Sequence, residues 1–162
     1  MAFEKVEEVE AVKRAALIEE NGCRFYTLLA AKIRHKEARA VFKRLAKDEM
    51  KHLKTIEKEF YPKAGLGDEI TDEELSIEKT LPLAGQPDIF TKRIDIEALV
   101  RTIRSARNAL ITALYAERHS VEFFEGMAIE ANAPAARRLY KELAEVEKGH
   151  VSTIEGLLTK VS

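Results

Sequence analysis

Glycine and proline are scarce in this chain, 7 and 4 among 162 residues, which leaves little material for turns and suits an all-helical protein. A single cysteine, Cys23, excludes an internal disulfide, and no Cys-x-x-Cys pair is present to build a thiolate zinc site. Excess charge of one sign is missing too. The net charge of −1 gives no reason to expect nucleic acid or an anionic membrane surface as a partner. No apolar run approaches the length needed to cross a bilayer, and the polar start Met1–Glu8 does not read as a signal peptide. The expectation is a soluble cytoplasmic protein. What is present is 46% apolar and 34% charged residues, enough to bury one core in a single domain spanning residues 1–162.

The most informative stretch is Lys47-Asp48-Glu49-Met50-Lys51-His52, because its pattern returns at Glu145-Val146-Glu147-Lys148-Gly149-His150. Each holds a Glu and a His three residues apart, one turn along the same helix face, so carboxylate and imidazole can reach one metal ion. One Glu-x-x-His in a Glu-rich chain means little. The offset of 98 residues between His52 and His150, however, also carries Glu19 onto Glu117, Ala15 onto Ala113 and Phe25 onto Phe123. It carries Tyr26 onto Phe124, Phe42 onto Tyr140, Leu45-Ala46 onto Leu143-Ala144 and Ile56 onto Ile154. The chain contains an internal duplication of a helical hairpin, each copy presenting a Glu and then a Glu-x-x-His.

Apolar periodicity predicts a first helix over about 4–33, and a second after the Arg34-His35-Lys36 turn that ends at Tyr61-Pro62. Hairpin one is thus about 4–60. A segment of about 61–107 follows, with a capping box at Thr71-Asp72-Glu73-Glu74, loop from Leu81 to Pro87, and an amphipathic stretch at Ile96, Leu99, Val100 and Ile103. That stretch is either a separate helix or continuous with the next. Hairpin two, about 108–160, has helices over Asn108–Ala131 and from Pro134 onward. A link this long suggests a crossover between parallel second and third helices of a four-helix bundle. Glu19 lies about 14 residues, roughly 21 Å, before the first turn, and Glu49 about 13 residues, roughly 20 Å, after it, so the two carboxylates are level. The second hairpin repeats this with Glu117 and Glu147. Four Glu and two His then meet on otherwise apolar faces, where unpaired carboxylates are costly and divalent cations compensate.

This constellation resembles the ferritin-like di-iron carboxylate proteins, and within them the rubrerythrins in their rubredoxin-less "erythrin" form. The resemblance is carried by Ala15–Ile56 and Ala113–Ile154. It implies a ferritin-like four-helix bundle in which Glu19, Glu49, His52, Glu117, Glu147 and His150 bind two Fe ions, with Mn or Zn as substitutes. Glu49 and Glu147 are the expected bridges, and Tyr26 stands where rubrerythrins have a tyrosine that hydrogen-bonds the cluster. The implied activity is reduction of hydrogen peroxide or dioxygen with electrons from a separate donor protein, in a homodimer; the length of the Tyr61–Ser105 segment would let it exchange between subunits. Two alternatives stand beside it: iron handling by a ferroxidase, and a structural or manganese-containing bundle. The chain departs from the family at Ser120, where rubrerythrins carry an extra Glu that exchanges with a His during turnover. Glu122 does not replace it, being about 500° around the helix from Glu117. Bacterioferritin shares the paired Glu-x-x-His, and Met50 stands at its haem-ligand position; here Met50 is read as a surface or interface residue, no fifth helix following His150. Cys23, whose counterpart is Val121, is read as a small core residue, and His35 and His119 as solvated or packing residues.

Overall fold

A computed structural model describes residues 6–65, 90–91 and 94–162. Among them the chain is all α: α1 (Val6–Lys32), α2 (Lys36–Glu59), α3 (Ile96–Thr102), α4 (Ala106–Glu130) and α5 (Pro134–Leu158), with a 3-10 turn at Pro62–Ala64 and no strand. α1 packs along α2 and α4 along α5, and the two hairpins meet through α1 against α4 and α2 against α5. The capping box at Thr71–Glu74 and the Leu81–Pro87 loop lie outside the described residues.

Each boundary has a local cause. The His35 ring accepts a hydrogen bond from the Ala38 amide at 3.2 Å, capping α2 with a residue that reads from sequence as solvated or packing. Gly65 closes the 3-10 turn at φ 74°, a left-handed conformation that costs glycine nothing. The amphipathic stretch at Ile96–Ile103 is a separate helix. It begins at Asp95, whose side chain accepts from Ala98, and the backbone turns extended at Ile103. Ser105 then accepts from Asn108 and starts α4 two residues earlier than periodicity suggests. α5 has no side-chain cap and starts instead on Pro134, whose missing N–H is no loss in a first turn.

The duplication is visible in the core. Tyr26 on α1 stacks on Phe42 of α2 with centroids 6.1 Å apart and planes 18° apart; Phe124 on α4 stacks on Tyr140 of α5 at 6.5 Å and 18°. Phe25 meets Tyr26 edge-on at 5.4 Å, as Phe123 meets Phe124 at 5.6 Å. Phe25, Tyr26, Phe42 and Phe124 are fully buried, and each such ring contributes about 1.5–3 kcal/mol relative to exposure. Phe90 packs on Phe25 and Tyr26, and its carbonyl accepts from Asn21 Nδ2 at 2.9 Å, tying the long connection to α1 beside Glu19. Cys23 is buried, and burial pushes its thiol pKa up, as suits a core residue.

Candidate metal centre

Midway along the four long helices the hydrocarbon core gives way to carboxylates. Glu19, Glu49, Glu117 and Glu147, one from each helix, are at most 2% exposed, and His150 is 4% exposed. The donor atoms fall into two groups, each within 4.8 Å of one another: Glu19, Glu49, His52 and Glu147, and Glu49, Glu117, Glu147 and His150. Glu49 and Glu147 belong to both. His52 Nδ1 lies 3.2 Å from Glu19 Oε2 and 3.8 Å from Glu147 Oε1. His150 Nδ1 faces Glu147 at 3.1 Å, Glu49 at 3.3 Å and Glu117 at 3.4 Å. The two imidazoles stack with centroids 6.2 Å apart.

One oxygen of each carboxylate, Glu19 Oε1, Glu49 Oε2, Glu117 Oε2 and Glu147 Oε1, is buried without a hydrogen-bond partner. Leaving an acceptor so costs roughly 1–3 kcal/mol, more when it is charged. Burial first, and then the neighbouring carboxylates, push Glu19, Glu49 and Glu147 well above their ordinary pKa. Glu117 goes the other way: burial raises it, but hydrogen bonds with Glu147, His150 and Tyr26 outweigh that and hold it low. Burial alone would lower His150, yet the three carboxylates around it push it up, while burial keeps His52 low. Protons shared among the carboxyls are the metal-free substitute for cations. The donor set of hard oxygens and two imidazoles, with four oxygens unpaired, fits two divalent or trivalent ions.

Tyr26 Oη donates to Glu117 Oε1 at 2.5 Å, and burial followed by the Glu117 charge keeps the phenol protonated. Glu122 is exposed and His119 half-buried, both outside the donor groups. Ser120 is buried, its hydroxyl donating to the Ala116 carbonyl at 3.0 Å. Met50 is 40% exposed on the outer side of α2. Two residues escape a reading of the sequence. Asp48 Oδ2 lies 3.2 Å from His150 Nε2, across the hairpins. Gly22 gives Glu49 its room, since a Cβ there would stand 3.1 Å from the Glu49 carboxyl carbon. An isolated glycine one turn after Glu19 was the available signal; for Asp48 there was none beyond its place beside Glu49.

Six carboxylate and imidazole side chains, with Glu49 and Glu147 common to both donor groups, form a carboxylate-rich cluster that could hold metal ions inside a helical bundle. The chain belongs to the rubrerythrin family, whose family model matches residues 10–158. Among solved structures it is similar to the crystal structure of a DUF305 fragment from Deinococcus radiodurans, with a TM-score of 0.70 and 16% identity, covering 97% of this chain and 98% of that one. At that identity the likeness speaks for the fold alone. No curated protein matches. Among the described residues no helix is long and apolar enough to cross a membrane.

Proposed function

We propose that the protein is a non-haem di-iron oxidoreductase that reduces hydrogen peroxide, or dioxygen, with electrons from a separate donor protein. The observation that carries this reading is the set of four buried carboxylates, each with an unpaired oxygen, arranged as two donor groups around shared Glu49 and Glu147. Glu19 and His52 would complete one position, and Glu117 and His150 the other, within a ferritin-like bundle closed by a long crossover. When bound, two ferrous ions would supply the two electrons that, with two protons, reduce hydrogen peroxide to two waters, or dioxygen to peroxide only. The chain's own residues do the rest. Glu49 and Glu147, common to both donor groups, would hold two positions side by side, Tyr26 orders Glu117 from behind, and the buried faces of α1 and α4 exclude bulk water. Manganese in the same donors would support the catalase-like alternative. A homodimer exchanging the 61–105 segment belongs to the same proposal, and sedimentation showing only monomer would remove that part of it.

Ser120 favours one second reading. A rubrerythrin that lacks the switching carboxylate is a slower peroxidase, and iron oxidation and transfer become the competing use of the same ligands. Stopped-flow mixing of the diferrous protein with each oxidant separates them. Faster oxidation by peroxide, with two irons retained per chain, is the expected result. Faster oxidation by dioxygen, with more than two ferric ions retained, would replace peroxide reduction by iron handling.

A further inference from the structure

We propose that the two metal positions are unequal: the ion at Glu117 and His150 binds first and tightest, with Asp48 as the residue that positions His150, while the ion beside His52 is the exchangeable one. This rests on the metal-centre reading above and asks how the two positions differ.

The bridges are common to both, so any difference lies in the private ligands. Both nitrogens of His150 are engaged. Nε2 donates to Asp48 Oδ2 at 3.2 Å, so Nδ1, which faces the carboxylates 3.1–3.4 Å away, is the nitrogen left for an ion once its proton is displaced. Its companion Glu117 is anchored by the Tyr26 hydroxyl. Ring orientation and carboxylate rotamer are therefore set before an ion arrives, and little ordering cost remains at binding.

The other position lacks both devices. Offset by 98 residues, Asp48 falls on Val146 and Tyr26 on Phe124, and neither can hydrogen-bond a ligand. Among the described residues, His52 has hydrogen-bond and ion-pair contacts at Nδ1 only. Its ring is also the more open, 13% exposed against 6% for His150. It lines a groove of about 340 Å³ between α2 and α5, together with Asp48, Lys51, Thr55, Leu143 and Val146. The groove gives an aqueous approach to the His52 ring, while Asp48 lies against the outer edge of His150.

Calorimetric titration of the metal-free protein with Co²⁺, paired with visible absorption, tests this. The expected result is two ions per chain in separable steps. Asp48→Ala should weaken the first step roughly 10–100-fold and leave the second nearly unchanged. Asp48→Asn, which keeps an acceptor oxygen, should restore most of the first step. His52→Ala should remove the second step alone. Two steps of equal affinity, loss of the first step in His52→Ala, or an unaltered first step in Asp48→Ala would each overturn the inequality while leaving the metal centre standing. Failure of the unaltered protein to take up any Co²⁺ would overturn the metal-centre reading and this inference with it.

Discussion

The two hairpins of this protein are the same object built twice, and their differences are more instructive than their likeness. Ring pairs 98 residues apart share a stacking angle, and the carboxylates enter at the same depth. Yet polar support runs one way. Tyr26 and Asp48 both reach out of the first hairpin, to Glu117 and His150 of the second, and at the matching positions Phe124 and Val146 have nothing to return. The duplicated residues account for the donor set, and the unduplicated ones make its halves different.

The most severe way to break the comparison is to remove a carboxylate common to both donor groups. Glu49→Ala or Glu147→Ala should lose both ions, measured as metal per chain after desalting, whereas Glu122→Ala, on the exposed side of α4, should keep them. Equal loss in Glu122→Ala would mean that the α4 register is wrong.

Removing the metal should have the next largest effect. Loaded protein should melt roughly 5–10 °C above the metal-free form, since binding contributes a few kcal/mol. The gap should depend on pH. Glu19, Glu49 and Glu147 keep protons that the unfolded chain releases above the ordinary value of 4.5. The stability they confer is full below that value and is lost as pH rises through their raised folded values. His150 adds a loss of the same sign above its ordinary 6.5. Glu117 and His52 run the other way but are outnumbered. Between about pH 5 and 8 the metal-free midpoint should therefore fall, and a midpoint that rises with pH, by scanning calorimetry, would contradict the crowding of carboxyls.

Gly22 and Ser120 sharpen the comparison, being counterparts in the duplication. Alanine in place of glycine within a helix ordinarily stabilises by about 0.5–1 kcal/mol. At Gly22 the added methyl presses on Glu49, so Gly22→Ala should weaken metal binding by roughly tenfold. Ser120→Ala removes only a hydroxyl turned back on its own helix and should change affinity little. Similar titration curves for the two variants would remove the special role of Gly22. A smaller change than in Gly22→Ala is expected in Tyr26→Phe, which keeps both ions but slows oxidation several-fold in stopped-flow absorbance, because Glu117 loses its anchor. Loss of an ion in that variant would make Tyr26 essential to metal retention.

Much of this was legible before any coordinates. Helical periodicity locates the four long helices, and a repeated Glu then Glu-x-x-His selects six residues out of a Glu-rich background because the pattern recurs at one fixed offset. What escaped has a common cause. The Asp48 contact to His150 spans 102 residues in sequence, and the approach of Gly22 to Glu49 depends on how two helices lean together. Neither leaves a periodic trace. The start of α4 is written instead in a single hydroxyl, Ser105, and that of α2 in the imidazole of His35, a residue outside the usual capping set.

The close approach at Gly22 has a mechanical consequence. Helices in a bundle are normally held about 8–10 Å apart by interlocking hydrocarbon, which is nearly incompressible. At this level of α1 and α2 the spacer is a carboxylate lying on bare backbone. The local gap between the helices is therefore set by the thickness of the Glu49 carboxyl group against Gly22. In the proposed metal-centre reading, loading and emptying the site would act as a gauge block slipped in and out of the hairpin, with the Tyr26–Phe42 stack on the side of the α1–α2 turn as the fixed point against which that thickness is felt.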